Sequence, residues 1–415
     1  MRNSPFKWIL VVFMLLLDLY VFQAIKMLSQ SAGHRTKMVI YGLYWGLSVL
    51  ALATLIILPY INFDNLPKGF RNVVFAIIAG LFFSKLVASV FFIIDDMRRG
   101  IQWAAGKIFF NNTEGEKIQE DGISRSAFLS WAGMLIGGGL FSSLMYGFNN
   151  RYRYQLKKIR LTYNNLPASF KGLKIAHISD IHSGSFNDKP AVLHGIDMIM
   201  KQKPDLILFT GDLVNDKATE MKDYMDVFNR LSAPMGIFSI LGNHDYGDYV
   251  QWESKEAKVQ NLEQLKKVHA DLGWRLLMNE HVALERNNEK IALLGVENWS
   301  SKARFPKYGD LKKAYEGASN YSFKILMSHD PSHWDGQVRK DYKDIDLMLA
   351  GHTHGMQFGV EIPGFKWSPV QYVYKQWAGL YEDGVQKLYI NRGYGFLGYP
   401  GRVGILPEIS IIELI

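Results

Sequence analysis

The chain has 415 residues, room for more than one domain, with 48% hydrophobic residues and a mean hydropathy near zero. A formal net charge of +8 points to an anionic partner. The basic-and-aromatic pattern of a single-strand nucleic-acid groove is missing, so lipid or a small anion is favoured over nucleic acid. There is no cysteine, which excludes disulfides and thiolate metal sites.

The near-zero average conceals an asymmetry. Residues 1–150 are dominated by long apolar runs, and a helix needs about 20 apolar residues to cross a bilayer. Four stretches qualify: Trp8 to Ile25, Val39 to Ile61, Val73 to Ile94 and Ala127 to Phe148. The first is too long for a cleaved signal peptide and three more follow, so it reads as an anchor. Asp18 and Lys85 fall inside the first and third spans at similar depth. A lone charge in lipid is costly, so they either pair across the bundle or each find a different partner.

Four spans put the N-terminus and the large domain on one side. Lys26, Arg35, Lys37, Arg98, Arg99, Lys107, Lys117 and Arg125 follow spans one and three. Arg2, Lys7, Lys68 and Arg71 lie on the other side. The positive-inside rule then favours an extracytoplasmic domain. Ser124–Leu129 resembles a degenerate twin-arginine export signal. Opposing this, Arg151, Arg153, Lys157, Lys158 and Arg160 follow span four directly and read as a basic connector, 151–171, able to lie on anionic headgroups.

From 172 to 415 the texture is that of an α/β domain. Apolar runs at Leu173–Ile178, Leu206–Phe209, Ile237–Leu241, Ile291–Val296, Phe323–Met327 and Leu347–Ala350 predict buried strands. Helices are expected near 189–202, 218–231 and 259–271. Strands near 274–286, 386–391 and 408–414 suggest a second, more antiparallel sheet packed on the first. The predicted class is a two-sheet sandwich flanked by helices, behind an all-α four-helix membrane region.

The residues just beyond these strands carry the chemistry. Asp180-Ile181-His182, Gly211-Asp212, Gly242-Asn243-His244-Asp245, Ser328-His329 and Gly351-His352-Thr353-His354 each come directly after a predicted strand. Ligands of open α/β sheets bind beyond strand carboxyl ends. Asp, Asn and His donors suit Mn, Fe or Zn, and seven such side chains are too many for one ion. Two ions roughly 3.5–4 Å apart, sharing a carboxylate, would use them all, activating a bridging hydroxide and clamping a phosphoryl group. His244, beside Asn243, is placed to protonate the leaving oxygen.

This order of motifs resembles the calcineurin-like metallophosphoesterase family, over roughly 172–415, and within it the membrane-anchored bacterial branch of phosphodiesterases and UDP-2,3-diacylglucosamine hydrolases. The resemblance implies that Asp180, His182 and His354 bind a first metal and Asn243, His329 and His352 a second. Asp212 would bridge them, His244 would be the catalytic acid, and Asp245 would orient it. Relatives often read G-H-T-H-G-G-Q, and here Met356 replaces the last glycine, which would narrow the mouth of the site. It implies a protein of a bacterial inner or cell membrane with no obligate protein partner. The expected reaction is hydrolysis of a phosphodiester or pyrophosphate of a lipid-linked substrate, such as UDP-2,3-diacylglucosamine or a phospholipid. The rivals are a phosphomonoesterase and a membrane sensor or transporter carrying a phosphoesterase domain.

Among the remaining candidates, His333 and Asp330 could touch substrate from a loop. Arg402 could contact a phosphate oxygen or form a surface salt bridge. His177, His194, His269 and His281 read as satisfied core residues, and Asp205 and Asp346 as caps or turn residues.

Overall fold

The computed structural model describes residues 5–57, 60, 68–109 and 125–415. Arg2, Lys117 and Ser124, which bear on the topology, lie outside the described residues. The chain divides into two compact units, Met1–Tyr146 and Gly147–Ile415.

In the first unit the four apolar stretches are helices α1 (Pro5–Leu28), α2 (His34–Ile57), α3 (Lys68–Phe109) and α4 (Ala127–Gly147). All four are long and apolar enough to span a bilayer. The third continues well past Ile94: its 42 residues give about 63 Å at 1.5 Å per residue, roughly twice a hydrocarbon core. Ile9, Leu43, Phe128 and Leu135 are exposed, as side chains facing lipid would be. Leu17, Val21 and Ala24 of α1 pack on Ala88 and Phe92 of α3. A β-carbon on Gly137 of α4 would come within 2.7 Å of the Ser84 carbonyl, and one on Gly133 within 2.9 Å of the Ala88 carbonyl. The small residues therefore let α4 lie directly on α3.

The two intramembrane charges do meet. Lys85 Nζ donates to Asp18 Oδ1 and lies 2.6 Å from Ser48 Oγ, which donates in turn to Asp18 at 3.1 Å. The Tyr44 hydroxyl donates to the Asp18 carbonyl at 2.7 Å. Further along α3, Asp95 Oδ2 accepts from the Ser126 backbone N–H (2.8 Å) just before α4, and Asp96 pairs with Arg125 at 3.1 Å.

The second unit has fourteen described strands: β1 (Gln155–Leu161), β2 (Lys174–Ile178), β3 (Leu206–Phe209), β4 (Ile237–Ser239), β5 (Arg275–Leu276), β6 (Glu280–Arg286), β7 (Glu289–Gly295), β8 (Lys324–Met327), β9 (Leu347–Ala350), β10 (Val360–Ile362), β11 (Phe365–Trp367), β12 (Gly379–Asp383), β13 (Gln386–Ile390) and β14 (Glu408–Leu414). One sheet has the order β1-β14-β2-β3-β4-β5, the other β12-β13-β9-β8-β7-β6. In the second, the inner pairs are parallel and the two edge pairs antiparallel.

Ile175, Leu206 and Leu208 of the first sheet meet Leu293, Ile325 and Leu349 of the second in one apolar layer. Helices α5 (Lys189–Lys201), α6 (Met225–Phe228) and α7 (Lys255–Asp271) cover the outer face of the first sheet, and α8 (Leu311–Tyr315) that of the second. Asp188 and Ser254 cap α5 and α7 by accepting backbone N–H groups.

Three expectations need correction. The stretch read as connector 151–171 contributes β1, which pairs in parallel with β14; Arg160 meets Glu413 at 2.9 Å. The strands expected near 274–286, 386–391 and 408–414 do not share one sheet: 274–286 is two strands on different sheets, broken at Asn279 (φ 57°), and 408–414 is β14 of the first sheet. The helix expected over 218–231 is a 3-10 turn (Ala218–Met221) and a four-residue α6.

Candidate metal centre

Five strands, three from one sheet and two from the other, deliver side chains to one place. Asp180 and His182 follow β2, Asp212 follows β3, Asn243 follows β4, His329 follows β8, and His352 and His354 follow β9. Each loop must turn at once. Asp180, His182, Asp212, His352 and His354 all take left-handed backbone conformations, φ 49–72°, which cost of order 1–3 kcal/mol each and collect at functional sites. Close approach is built in as well: a β-carbon on Gly242 would lie 2.2 Å from Asp212 Oδ1.

Two groups of ligand atoms result, Asp180–His182–His354 and Asp212–His329–His352, each within 4.8 Å and mostly buried. His182 Nε2 is 3.0 Å from His354 Nε2, and His354 Nε2 is 3.2 Å from Asp180 Oδ1. Asp212 Oδ2 lies 3.1 Å from His329 Nε2 and 3.5 Å from His182 Nε2, so this carboxylate touches both groups.

The hydrogen-bond network assigns the protons. His329 Nδ1 faces the Thr210 carbonyl at 2.7 Å, and so carries hydrogen. The Tyr374 hydroxyl donates to Asp330 Oδ2 (3.2 Å), so its oxygen accepts from His352 Nε2 at 2.9 Å. His329 Nε2 and His352 Nδ1, 3.2 Å apart, are left with lone pairs aimed at one another and at Asp212. Electron-pair donors at such separations need a proton or a metal ion between them. Burial alone would lower the basicity of His329, but the Asp212 carboxylate raises it to about 10. The same field, a proton's place, suits a divalent ion. Asn243 fits as well: Nδ2 donates to Tyr249 (2.9 Å), which leaves Oδ1 buried and without a hydrogen-bond partner. The nitrogen and oxygen donor set is that of Mn, Fe or Zn.

His244 stands beside the cluster, partly exposed. Its backbone N–H donates to Asp212 Oδ1 (2.8 Å), its Nδ1 is fixed by the Asn215 carbonyl (2.7 Å), and its ring packs on Tyr249 at 4.5 Å. Asp245 does not orient it. That carboxylate accepts from the backbone N–H groups of Asp212, Leu213 and Gly242, each at 2.8 Å, and so locks the loops after β3 and β4 together. Burial and the neighbouring Asp212 charge push it up to about 7.

The two residues assigned to substrate are both interior. His333 is fully buried, stacked on Trp299 at 4.2 Å, with both ring nitrogens engaged by Ser328 and Gln337. Arg402 is fully buried too, and donates to the carbonyls of Arg392 (2.8 Å), Gly393 (3.2 Å) and Gly395, with Nη2 3.2 Å from His354 Nδ1. It braces the 392–395 loop beneath His354 and reaches neither solvent nor an acid.

Asp330 is buried, with Oδ1 on the Ser332 N–H and Oδ2 on Tyr374. His177 and His269 are core residues, but each leaves one buried ring nitrogen without a hydrogen-bond partner; His194 is exposed and His281 half-buried. Asp205 and Asp346 accept backbone N–H groups at strand starts, from Lys174 and Lys324. Met356, at φ 55°, is exposed. Tyr374 and Asn215 were hidden because their partners lie in other segments, whereas Tyr249 has Asn243 and His244 in its own loop, and only the folded loop brings its ring onto them.

Comparison with known proteins agrees in both units. Residues 173–356 match the family model described as "Calcineurin-like phosphoesterase", and residues 2–151 one described as "Probable Calcineurin-like phosphoesterase, transmembrane domain". The chain is 28% identical over 265 residues to a transmembrane protein with metallophosphoesterase domain from Danio rerio, covering 62% of this chain and 56% of that one. It is 28% identical to the uncharacterized metallophosphoesterase YkuE of Bacillus subtilis (70% of this chain, 98% of the relative). It is also 28% identical to phosphodiesterase YaeI of Escherichia coli (58% and 82%).

Proposed function

We propose, for a chain that belongs to the calcineurin-like phosphoesterase family and is a membrane-associated, metal-dependent phosphoesterase, that it cleaves a phosphodiester or pyrophosphate bond of a lipid-linked substrate with two divalent ions. Residues 1–150 serve as the anchor and 172–415 as the hydrolase. The observation that carries the reading is the convergence of His329, His352 and Asp212 within hydrogen-bond distance of one another, beside the buried and unpartnered Oδ1 of Asn243.

Asp180, His182 and His354 would hold one ion, Asn243, His329 and His352 the other, and Asp212 would serve both. When bound, such ions supply Lewis-acid charge for the phosphoryl group and an acidified water. The chain's residues do the rest. Thr210 and Tyr374 fix the tautomers of His329 and His352. The Asn215 carbonyl orients the His244 ring so that Nε2 can give a proton to the leaving oxygen. The membrane anchor keeps the site near lipid. Basic residues after spans one and three favour an extracytoplasmic domain, where a phospholipid is the fitting substrate. A nucleotide-linked acyl sugar would need the cytoplasmic face, and a reporter fused after Ile415 decides between them.

The test uses the purified full-length chain, stripped with chelator and reloaded with Mn. Two ions per chain and hydrolysis of an aryl phosphodiester are expected. No more than one ion, or no hydrolysis, ends the reading.

A further inference from the structure

The β10–β11 hairpin is built inside out. Side chains alternate across a strand, and the pairing sets Val360 opposite Trp367, Glu361 opposite Lys366, and Ile362 opposite Phe365. The charged pair lies on the face turned to the domain, Glu361 half-buried and Lys366 exposed but with its ammonium folded inward. Glu361 accepts from Arg392 Nη2 at 2.8 Å and meets Lys157 at 3.4 Å. Lys366 donates to the Ala378 carbonyl and lies 5.1 Å from the centre of the Trp377 ring. The apolar residues form the outward face: Val360 is 42% exposed, Ile362 58% and Phe365 54%. Trp367 carries the face on to Tyr372, its indole N–H 3.5 Å from the hydroxyl, and Tyr372 is 78% exposed.

The hairpin also belongs to the metal loop. It leaves the chain just after His354 and returns to it: Ser368 donates to the Gly355 carbonyl at 2.8 Å, and Tyr374 holds His352. Cations border the same place. Lys375 and Arg304 are exposed, Arg304 lies over Phe305, and Phe305 stands edge-on to His352 at 4.9 Å.

We propose that the outward face of the β10–β11 hairpin, with Tyr372, inserts into the headgroup–acyl boundary of the bilayer and holds the mouth of the metal centre against the lipid surface. The occupant is argued from three observations. The chain is a membrane protein, so a lipid surface is always within its reach. A Trp and a Tyr with apolar bodies and polar tips beside Ile, Val and Phe have the composition of interfacial belts. Flanking Lys and Arg match headgroup phosphates. A lipid-linked phosphate would then be hydrolysed with its acyl part still in the bilayer. That consequence rests on the proposed phosphoesterase reading; the lipid contact does not.

The absence of cysteine allows a single reporter. Phe365→Cys and, as control, Val385→Cys in the exposed β12–β13 turn are labelled with an environment-sensitive fluorophore in the full-length protein. Each is reconstituted in vesicles of phosphatidylethanolamine and phosphatidylglycerol, with and without brominated acyl chains. The label at 365 should shift to the blue and lose most of its emission to the brominated lipid, while the label at 385 is unchanged. Equal quenching at the two positions, or none at 365, overturns the proposal. A blue shift at 365 without bromolipid quenching also overturns it, assigning the face to a second copy of the chain. Mn-dependent hydrolysis of a soluble aryl diester is read on the same samples. Hydrolysis without quenching sinks the lipid contact alone, and quenching without hydrolysis sinks the phosphoesterase reading alone.

Discussion

In the membrane unit, the Asp18 carboxylate is closed by donors, Lys85 and Ser48, while Tyr44 donates to its backbone carbonyl. In the second unit, Asp212 Oδ2 faces instead the Nε2 of His329, whose Nδ1 hydrogen goes to the Thr210 carbonyl. One buried carboxylate is closed by its own chain, the other only by something added. The contrast separates a polar cluster that holds helices together from one that waits for an ion. A buried pair broken on one side leaves an uncompensated charge, whereas a ligand cluster is completed from solution.

Removing the shared acid is the strongest way to break the contrast. Asp212→Ala, or His354→Ala, should bring Mn-dependent hydrolysis of an aryl phosphodiester to background while circular dichroism shows the fold intact; full activity would sink the site. His244→Ala should lower turnover by about 10²–10⁴-fold with metal content nearly unchanged, as measured by elemental analysis. In the membrane unit, Asp18→Asn or Lys85→Met should each cost about 3–5 kcal/mol in the unfolding of the detergent-extracted chain. The double variant should cost less than the sum, and additivity would show that the two do not couple.

Tyr374→Phe sharpens the comparison further. It frees the His352 tautomer and strips Asp330 of a donor, so Mn affinity at one site should fall by about 10–100-fold in a titration. The smallest effect is on pH dependence. Burial pushes His269, hydrogen-bonded to Ser239, down to about 3. The unfolded chain therefore binds one more proton between pH 6.5 and 3. Stability should be full above about pH 6.5 and decline as pH falls, by at most about 1.4 kcal/mol per pH unit from this group. His269→Gln should flatten that slope in acid-unfolding curves.

The candidate site was legible because each candidate ligand comes within a few residues after a buried strand, beside Gly in three of the five loops. The sheets' interior strands announced themselves as apolar runs bounded by turns. The features that stayed hidden depend on partners far apart in the chain. Asp245 looked like a partner for the adjacent His244, yet its acceptors were taken by N–H groups of the β3 loop. Arg402 looked like a phosphate ligand because a guanidinium suits one. Only the fold shows it wrapped in the carbonyls of Arg392, Gly393 and Gly395. The alternation Val360-Glu361-Ile362 reads equally well with either face inward. Strand β1 was hidden by its charges, since an edge strand keeps them in water.

That edge strand has a consequence for biosynthesis. β14 lies between β1 and β2, so residues 155–161 have no neighbour in the sheet until residues 408–414 have been translated. The segment just after the last membrane helix must wait, basic and unpaired, through the making of almost the whole second unit. Closure of the domain is thus a late event in synthesis, set by a contact of very long sequence separation, and ribosome-stalled chains ending before residue 408 should leave that strand open to protease.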